Sequence, residues 1–157
     1  MHEGSCDSSL KPLIRQARKE DLPALLDLEN ISFKEETFHK GQLRYLLLKA
    51  RSRVLVADQK GKIIGSIIIL LRPSISNIRI YSLNVHPACR RVGVGSMLMD
   101  SAEKFAKQNG FGNITLEAGV ENQAAHGLYK SKGFSVDKKL KNYYKNGEDA
   151  LHFIKKL

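Results

Sequence analysis

NIRIYSLNVHPACRRVGVGSMLMD, residues 77–100, passes from a β-branched run through two arginines and two glycines into residues at helical spacing. Ile78 and Ile80 share one face by alternation, whereas Leu83 and Val85 fall on the opposite parity. A strand buried on both faces accounts for this. So does one extra residue near Tyr81 or Ser82, a β-bulge that re-aims the backbone beside a site. Further on, Leu98, Ala102, Phe105 and Ala106 recur at helical intervals until NGFG stops the helix. Between strand and helix, Gly93 and Gly95 permit positive φ and close approach, so that successive N–H groups can converge on an anion. The helix N-terminus adds partial positive charge, and Arg90 and Arg91 add formal charge. The turn is no Walker loop, since no Gly-Lys-Ser/Thr follows, and a dinucleotide fingerprint requires glycine where Leu98 stands. It is either a tight strand-to-helix turn or a cradle for phosphate.

The flanking sequence supplies a sheet for this unit. LIRQA (13–17) reads as a strand and EDLPALLDLEN (20–30) as a helix whose acids and Pro23 occupy the first turn. HKGQLRYLLLKA (39–50) is a second helix. RVLVAD and KIIGSIIILL form a hairpin about Gln59–Gly61. After the central unit, NITLEA is a strand, and NQAAHGLYKSKG is a helix capped by Asn122 and stopped by Gly133. FSVDKKLKNYY and ALHFIKKL are two late strands around KNGED. The order β-α-α-β-β-β-α-β-α-β-β describes a mixed sheet with helices on its faces, an α/β (α+β) domain.

A chain of 157 residues is about one domain, and 42% hydrophobic with 27% charged residues suits a globular core. We expect residues 1–11 to be a mobile tail and 12–157 a single domain. The longest apolar run, Ile63–Leu71, is interrupted by Gly65 and Ser66 and falls far short of a membrane span of roughly 20 residues. The first residues lack the order of a secretory signal, and Cys6 and Cys89 provide no disulfide framework. A cytoplasmic protein is expected, as monomer or homodimer. A net charge of +10 favours polyanionic partners, nucleotide cofactors among them. Without basic motifs interleaved with aromatics, specific nucleic-acid readout is not expected. The histidines share no ligand spacing, so no metal site is expected.

Arg/Gln-x-x-Gly-x-Gly/Ala after a strand, followed by Glu117 and then NQAAHGLYKSKGF (122–134), resembles the signature of the GNAT acyltransferase superfamily. The resemblance extends from IRQARKEDLPALLDLE to the end. It implies a mixed, mostly antiparallel central sheet with helices on both faces, and acetyl-CoA as the acetyl donor. The loop Arg90, Arg91, Val92, Gly93, Val94, Gly95 and Ser96 would grip the pyrophosphate. The backbone of Leu83, Asn84 and Val85 would pair with the pantetheine arm, and the superfamily's fourth-strand bulge gives the parity slip a reason. LEAGVENQAAHGLYKSKGF and KNYYKNGEDA are similar in particular to ribosomal-protein alanine N-acetyltransferases, which modify protein N-termini. That likeness implies Glu117 as general base, Tyr129 as general acid and cofactor contact, and Asn122 as a further cofactor contact.

From the residues alone, Glu117 is equally a surface carboxylate, Tyr129 a core ring and Asn122 a helix cap. Tyr143 and Tyr144 either line an acceptor groove or alternate across a strand. Glu36, Phe38 and His39 are candidates for the same groove. Their loop, NISFKEETFHKGQL, has no Pro-Trp-Ser-like segment, and AGVEN departs from that group after Glu117. An α-amine with pKa about 7.7–8.0 is partly neutral near neutral pH, whereas a lysine near 10.4 is about 0.1% neutral, which favours an N-terminal acceptor. The expected function is acetyl transfer by direct attack of such an amine in a ternary complex. The alternatives are a small-molecule amine acceptor (polyamine, amino sugar or amino acid) and a basic module that binds coenzyme A without catalysis.

Overall fold

The computed structural model describes residues 6, 10–32, 40–48, 51–90 and 92–157. Arg91, Glu36, Phe38, His39 and most of the expected N-terminal tail lie outside the described residues.

β1 (Leu13–Gln16) leads through a short 3-10 turn into α1 (Leu22–Ser32) and α2 (Lys40–Leu48). β2 (Ser52–Gln59) and β3 (Lys62–Arg72) form the hairpin, with β4 (Asn77–Val85) beside β3. Its turn residues Lys60 and Gly61 both take positive φ, 51° and 86°, which matches the twist of the flanking strands. Then come α3 (Val94–Gln108), β5 (Asn113–Gly119), α4 (Gln123–Ser131), β6 (Ser135–Leu140) and β7 (Ala150–Lys156). The element order is the one the sequence implies.

The strands form one sheet in the order β1-β2-β3-β4-β5-β7-β6. Only β4 and β5 run parallel, joined through α3. One core lies between the sheet and α3 and α4, where Ile64, Ile67, Ile69, Ile78, Ile80, Leu98 and Phe153 are buried. A second lies under α1 and α2, with Leu25, Leu28, Leu43, Val54, Val56 and Ile68. Because both faces are covered, β3 is buried without a break from Ile63 to Ile69. Gly65 in that run has a packing reason: a Cβ there would stand 3.0 Å from Val94 Cγ1 and 3.1 Å from Leu98 Cδ1. Its bare backbone lets the start of α3 settle onto β3.

The parity slip in β4 is a bulge. Ile68 pairs with Ser82 and Ile69 with Ile80, which leaves Tyr81 as the extra residue. Ile78, Ile80, Leu83 and Val85 therefore all join the α3/α4 core, and Tyr81 packs against the α1/α2 core. The bulge also ends the parallel ladder. β4 pairs with β5 only from Asn77↔Asn113 to Ile80↔Leu116, and beyond those residues the two strands part.

Candidate active site

Glu117 is the first β5 residue beyond the last pair with β4. Alternation from the buried Leu116 turns its side chain to the opposite, α1/α2 side of the sheet. There it is 8% exposed and carries donors on both oxygens. Arg79 on β4 donates from Nε to Oε1 at 2.8 Å, and the Tyr143 hydroxyl donates to the same oxygen at 3.1 Å. Arg79 Nη2 also lies on Oε1 and donates to the Tyr143 hydroxyl at 2.7 Å. The guanidinium stands 5.6 Å from the Tyr81 ring centroid, so the bulge residue props the cation that holds the carboxylate. On the other side, His152 of β7 pairs in register with Glu117 and places Nδ1 3.0 Å from Oε2.

Tyr129 comes from α4 on the other face. It is 8% exposed, edge-on to Phe153 at 5.5 Å and tilted against Phe134 at 6.2 Å. Burial pushes its phenol up to about 12, so it keeps its proton at neutral pH. Tyr143 and Tyr144 stack edge to face at 5.0 Å. Burial likewise raises Tyr144 to about 12, and the charges of Tyr143, Glu117, Glu148 and Tyr129 add to the effect. Tyr144 thus lies within electrostatic reach of both Glu117 and Tyr129. For Tyr143 the shift is also upward, first from burial and then from Glu117.

These tyrosines are not on a strand, contrary to the reading of FSVDKKLKNYY as one. β6 stops at Leu140, and Asn142 adopts a left-handed φ of 50° while its N–H binds Asp149 Oδ1 at 2.9 Å. The Glu148 carbonyl accepts from the N–H groups of Tyr143 and Tyr144, both at 3.1 Å. Val120 N–H donates to the Asp149 carbonyl at 3.0 Å, which ties this loop to the end of β5.

At the glycine turn, Gly93 has φ +88°, a left-handed conformation immediately before α3, and a Cβ there would meet nothing within 4 Å. The turn is open on that side. Val92 is exposed, whereas the Val94 side chain is buried, so only backbone is offered at residue 94. Arg90 folds back, Nε to the Val85 carbonyl at 3.3 Å. Leu83, Asn84 and Val85 pair with Ile67, Ser66 and Gly65 on one edge, and none pairs with β5 among the described residues. The Asn84 side chain reaches the other way, Nδ2 to the Leu28 carbonyl of α1 at 3.2 Å. Asn122 caps α4, its Oδ1 accepting from Ala125 N–H at 3.2 Å.

The sequence singled out neither Arg79 nor His152 as a site residue. Arg79 had a local signal, a cation between Ile78 and Ile80 that alternation places off the core face. His152 had none without the β5/β7 register. The other two described histidines go elsewhere: His86 Nδ1 accepts from Ala88 N–H, and His126 Nε2 lies 2.8 Å from the Gly119 carbonyl. Among the described residues no helix is long and apolar enough to cross a membrane, and no cluster of three ligating side chains could hold a metal.

Comparison with known proteins assigns the chain to a family. The model of the acetyltransferase (GNAT) family matches residues 14–134. The chain belongs to the GNAT acetyltransferase family. An uncharacterized N-acetyltransferase of Bacillus subtilis, YhfO, is 34% identical over 146 residues, covering 85% of this chain and 96% of that one. An N-alpha-acetyltransferase of Sulfurisphaera tokodaii is 28% identical over 148 residues, 87% of this chain and 88% of that one. The crystal structure of the ribosomal-protein-S18-alanine N-acetyltransferase from Escherichia coli superposes with a TM-score of 0.83. It covers 92% of each chain at 24% identity, which is a likeness of fold. The chain is thus a GNAT N-acetyltransferase, of a family that draws its acetyl group from acetyl-CoA.

Proposed function

We propose that this GNAT enzyme acetylates the α-amine of a protein or peptide N-terminus by direct attack in a ternary complex. One observation carries the reading: β4 parts from β5 at the Tyr81 bulge, and Glu117 stands at the fork. Acetyl-CoA fits what the chain offers there. The backbone of Leu83–Val85 has one unpaired edge for an extended amide arm. The open turn around Gly93 and the N-terminus of the 15-residue helix α3 suit a diphosphate, with Arg90, Arg91 and backbone from Val92 to Ser96 around it. Asn122, at the cap of α4, would give a further cofactor contact. When bound, the cofactor supplies a thioester as the acetyl donor.

The chain's own residues divide the proton work. Glu117 takes the proton of the attacking amine, directly or through one water, and Tyr129 donates to the departing sulfur. Burial suits Tyr129 to that task because it keeps the phenol protonated. Arg79 and Tyr143 hold Glu117 in place, and Tyr143 and Tyr144 border the acceptor's approach. Glu36, Phe38 and His39 stay candidates for the acceptor groove, outside the described residues. An N-terminal acceptor agrees with the modest basicity of an α-amine and with the named activity of the Sulfurisphaera relative.

Thiol release from acetyl-CoA, measured with peptides bearing free or blocked N-termini and with polyamines, tests this. Turnover on the free N-termini is expected, with intact-mass mapping of the product to the α-amine. Preferential acetylation of polyamines or lysine side chains overturns the acceptor, and cofactor binding without turnover on any amine overturns catalysis.

A further inference from the structure

We propose that His152 is a positioning residue that leaves Glu117 Oε2, rather than Oε1, as the oxygen that receives the amine proton. The proposal rests on Glu117 being the base. A carboxylate oxygen has two lone pairs. Those of Oε1 are taken by Arg79 Nε and the Tyr143 hydroxyl, which itself accepts from Arg79 Nη2. Among the described residues Oε2 has a single donor, His152 Nδ1 at 3.0 Å, and so retains one lone pair. Since a carboxylate oxygen only accepts, the hydrogen of this bond sits on Nδ1, which fixes the imidazole tautomer. In the step, the amine N–H bond breaks and an Oε2–H bond forms, while the nitrogen lone pair becomes free to attack.

A second carboxylate approaches the imidazole from behind without bonding it. β6 carries a bulge: Val136 pairs with Phe153 and Lys138 with His152, with Asp137 as the extra residue. That slip brings Asp137 Oδ2 to 3.9 Å from His152 Nε2. Arg79, Glu117 and His152 thus form a donor–acceptor–donor row across the neighbouring strands β4, β5 and β7, and Asp137 lies beyond hydrogen-bond reach of the imidazole. The side chain of His152 is 19% exposed, so water reaches it but does not surround it. Without the Nδ1–H bond, Oε2 is free to turn about the Glu117 side chain, and the lone pair loses its aim.

The variants His152→Asn and His152→Gln separate aim from bulk. The asparagine amide nitrogen falls near the place of Nδ1, and the glutamine amide reaches toward that of Nε2. With melting temperatures checked for both, His152→Gln is expected to lower kcat about tenfold or more by misplacing Oε2, with KM for acetyl-CoA unchanged. His152→Asn should recover most of that loss. In a Glu117→Gln background, His152→Gln should cost nothing further, because the residue acts only through the carboxylate. The proposal falls if His152→Gln retains wild-type kcat, if asparagine is no better than glutamine, or if the two losses multiply. A fully active Glu117→Gln variant instead removes the base assignment itself. A slow Glu117→Gln beside a normal His152→Gln removes only the role of His152.

Discussion

The two halves of β4 are built to different ends. From Asn77 to Ile80 the strand is laddered on both edges, antiparallel to β3 and parallel to β5. From Ser82 to Val85 it pairs with β3 alone among the described residues. The first half closes a sheet, and its apolar side chains are buried completely, as Ile78 is at 0% exposure. The second half leaves one edge of hydrogen-bonding backbone without a strand, a costly arrangement unless something fills it. The bulge divides the two, because one extra residue turns the strand away from β5 yet returns Leu83 and Val85 to the same core. Stability is concentrated in one half and binding capacity in the other.

The strongest test of that division is Ile78→Ala in the first half. Truncating a fully buried isoleucine should cost about 2–5 kcal/mol, read as a fall in the denaturant midpoint. Well below the melting temperature, calorimetry should show acetyl-CoA affinity unchanged. A loss of affinity comparable to the loss of stability would show that the halves are not separable.

Glu117→Gln is the converse. It keeps shape and burial but removes the carboxylate at the fork, so kcat should fall about 100-fold or more, some 3 kcal/mol of barrier, with cofactor affinity intact. Pre-steady-state thiol release measures the chemical step directly. Wild-type rates would leave the fork without its base.

What the sequence revealed and what it hid divide along similar lines. The bulge was legible as one of two readings because Ile78, Ile80, Leu83 and Val85 are near in the chain and their parity slips around Tyr81, which a strand buried on both faces would also show. The glycine turn was visible because a positive φ before a helix leaves a local mark at Gly93. Glu117 and Tyr129 were reached through their place in a family pattern. The partners of Glu117 were not legible. Arg79 lies 38 positions away along the chain and His152 lies 35, and only the sheet register brings them to one carboxylate. Tyr143 and Tyr144 were placed on a strand because their alternation suits one. Hydrogen bonds from Asp149 and Glu148, later in the chain, end that strand early.

The second half of β4 also has a buried support, and its effect is spread over a range of pH. Glu29 on α1 is 2% exposed and bonds the side chains of Asn84 and Ser82, just past the bulge. Neither its Oε2 nor Asn84 Oδ1 has a partner among the described residues. Two acceptors facing an apolar interior favour a proton on the carboxyl, and burial accordingly lifts Glu29 from 4.5 to about 7. The sign follows from linkage. A folded-state value above the unfolded one means that the stabilising contribution is complete below about 4.5 and is lost as pH rises through about 7. Across that window Glu29 should add a decline in stability of at most about 1.4 kcal/mol per pH unit, one proton's worth. Glu29→Gln stays neutral at every pH, so its decline should be shallower, with the two proteins most alike at or below about pH 4.5, the variant gaining on the wild type as pH rises to about 7, and the difference level above that. Urea midpoints for both across that range decide it, and parallel curves would mean that the carboxyl is already charged in its buried seat. In that case the unpaired half of β4 rests on a carboxylate, and the unpartnered oxygens must be served by water.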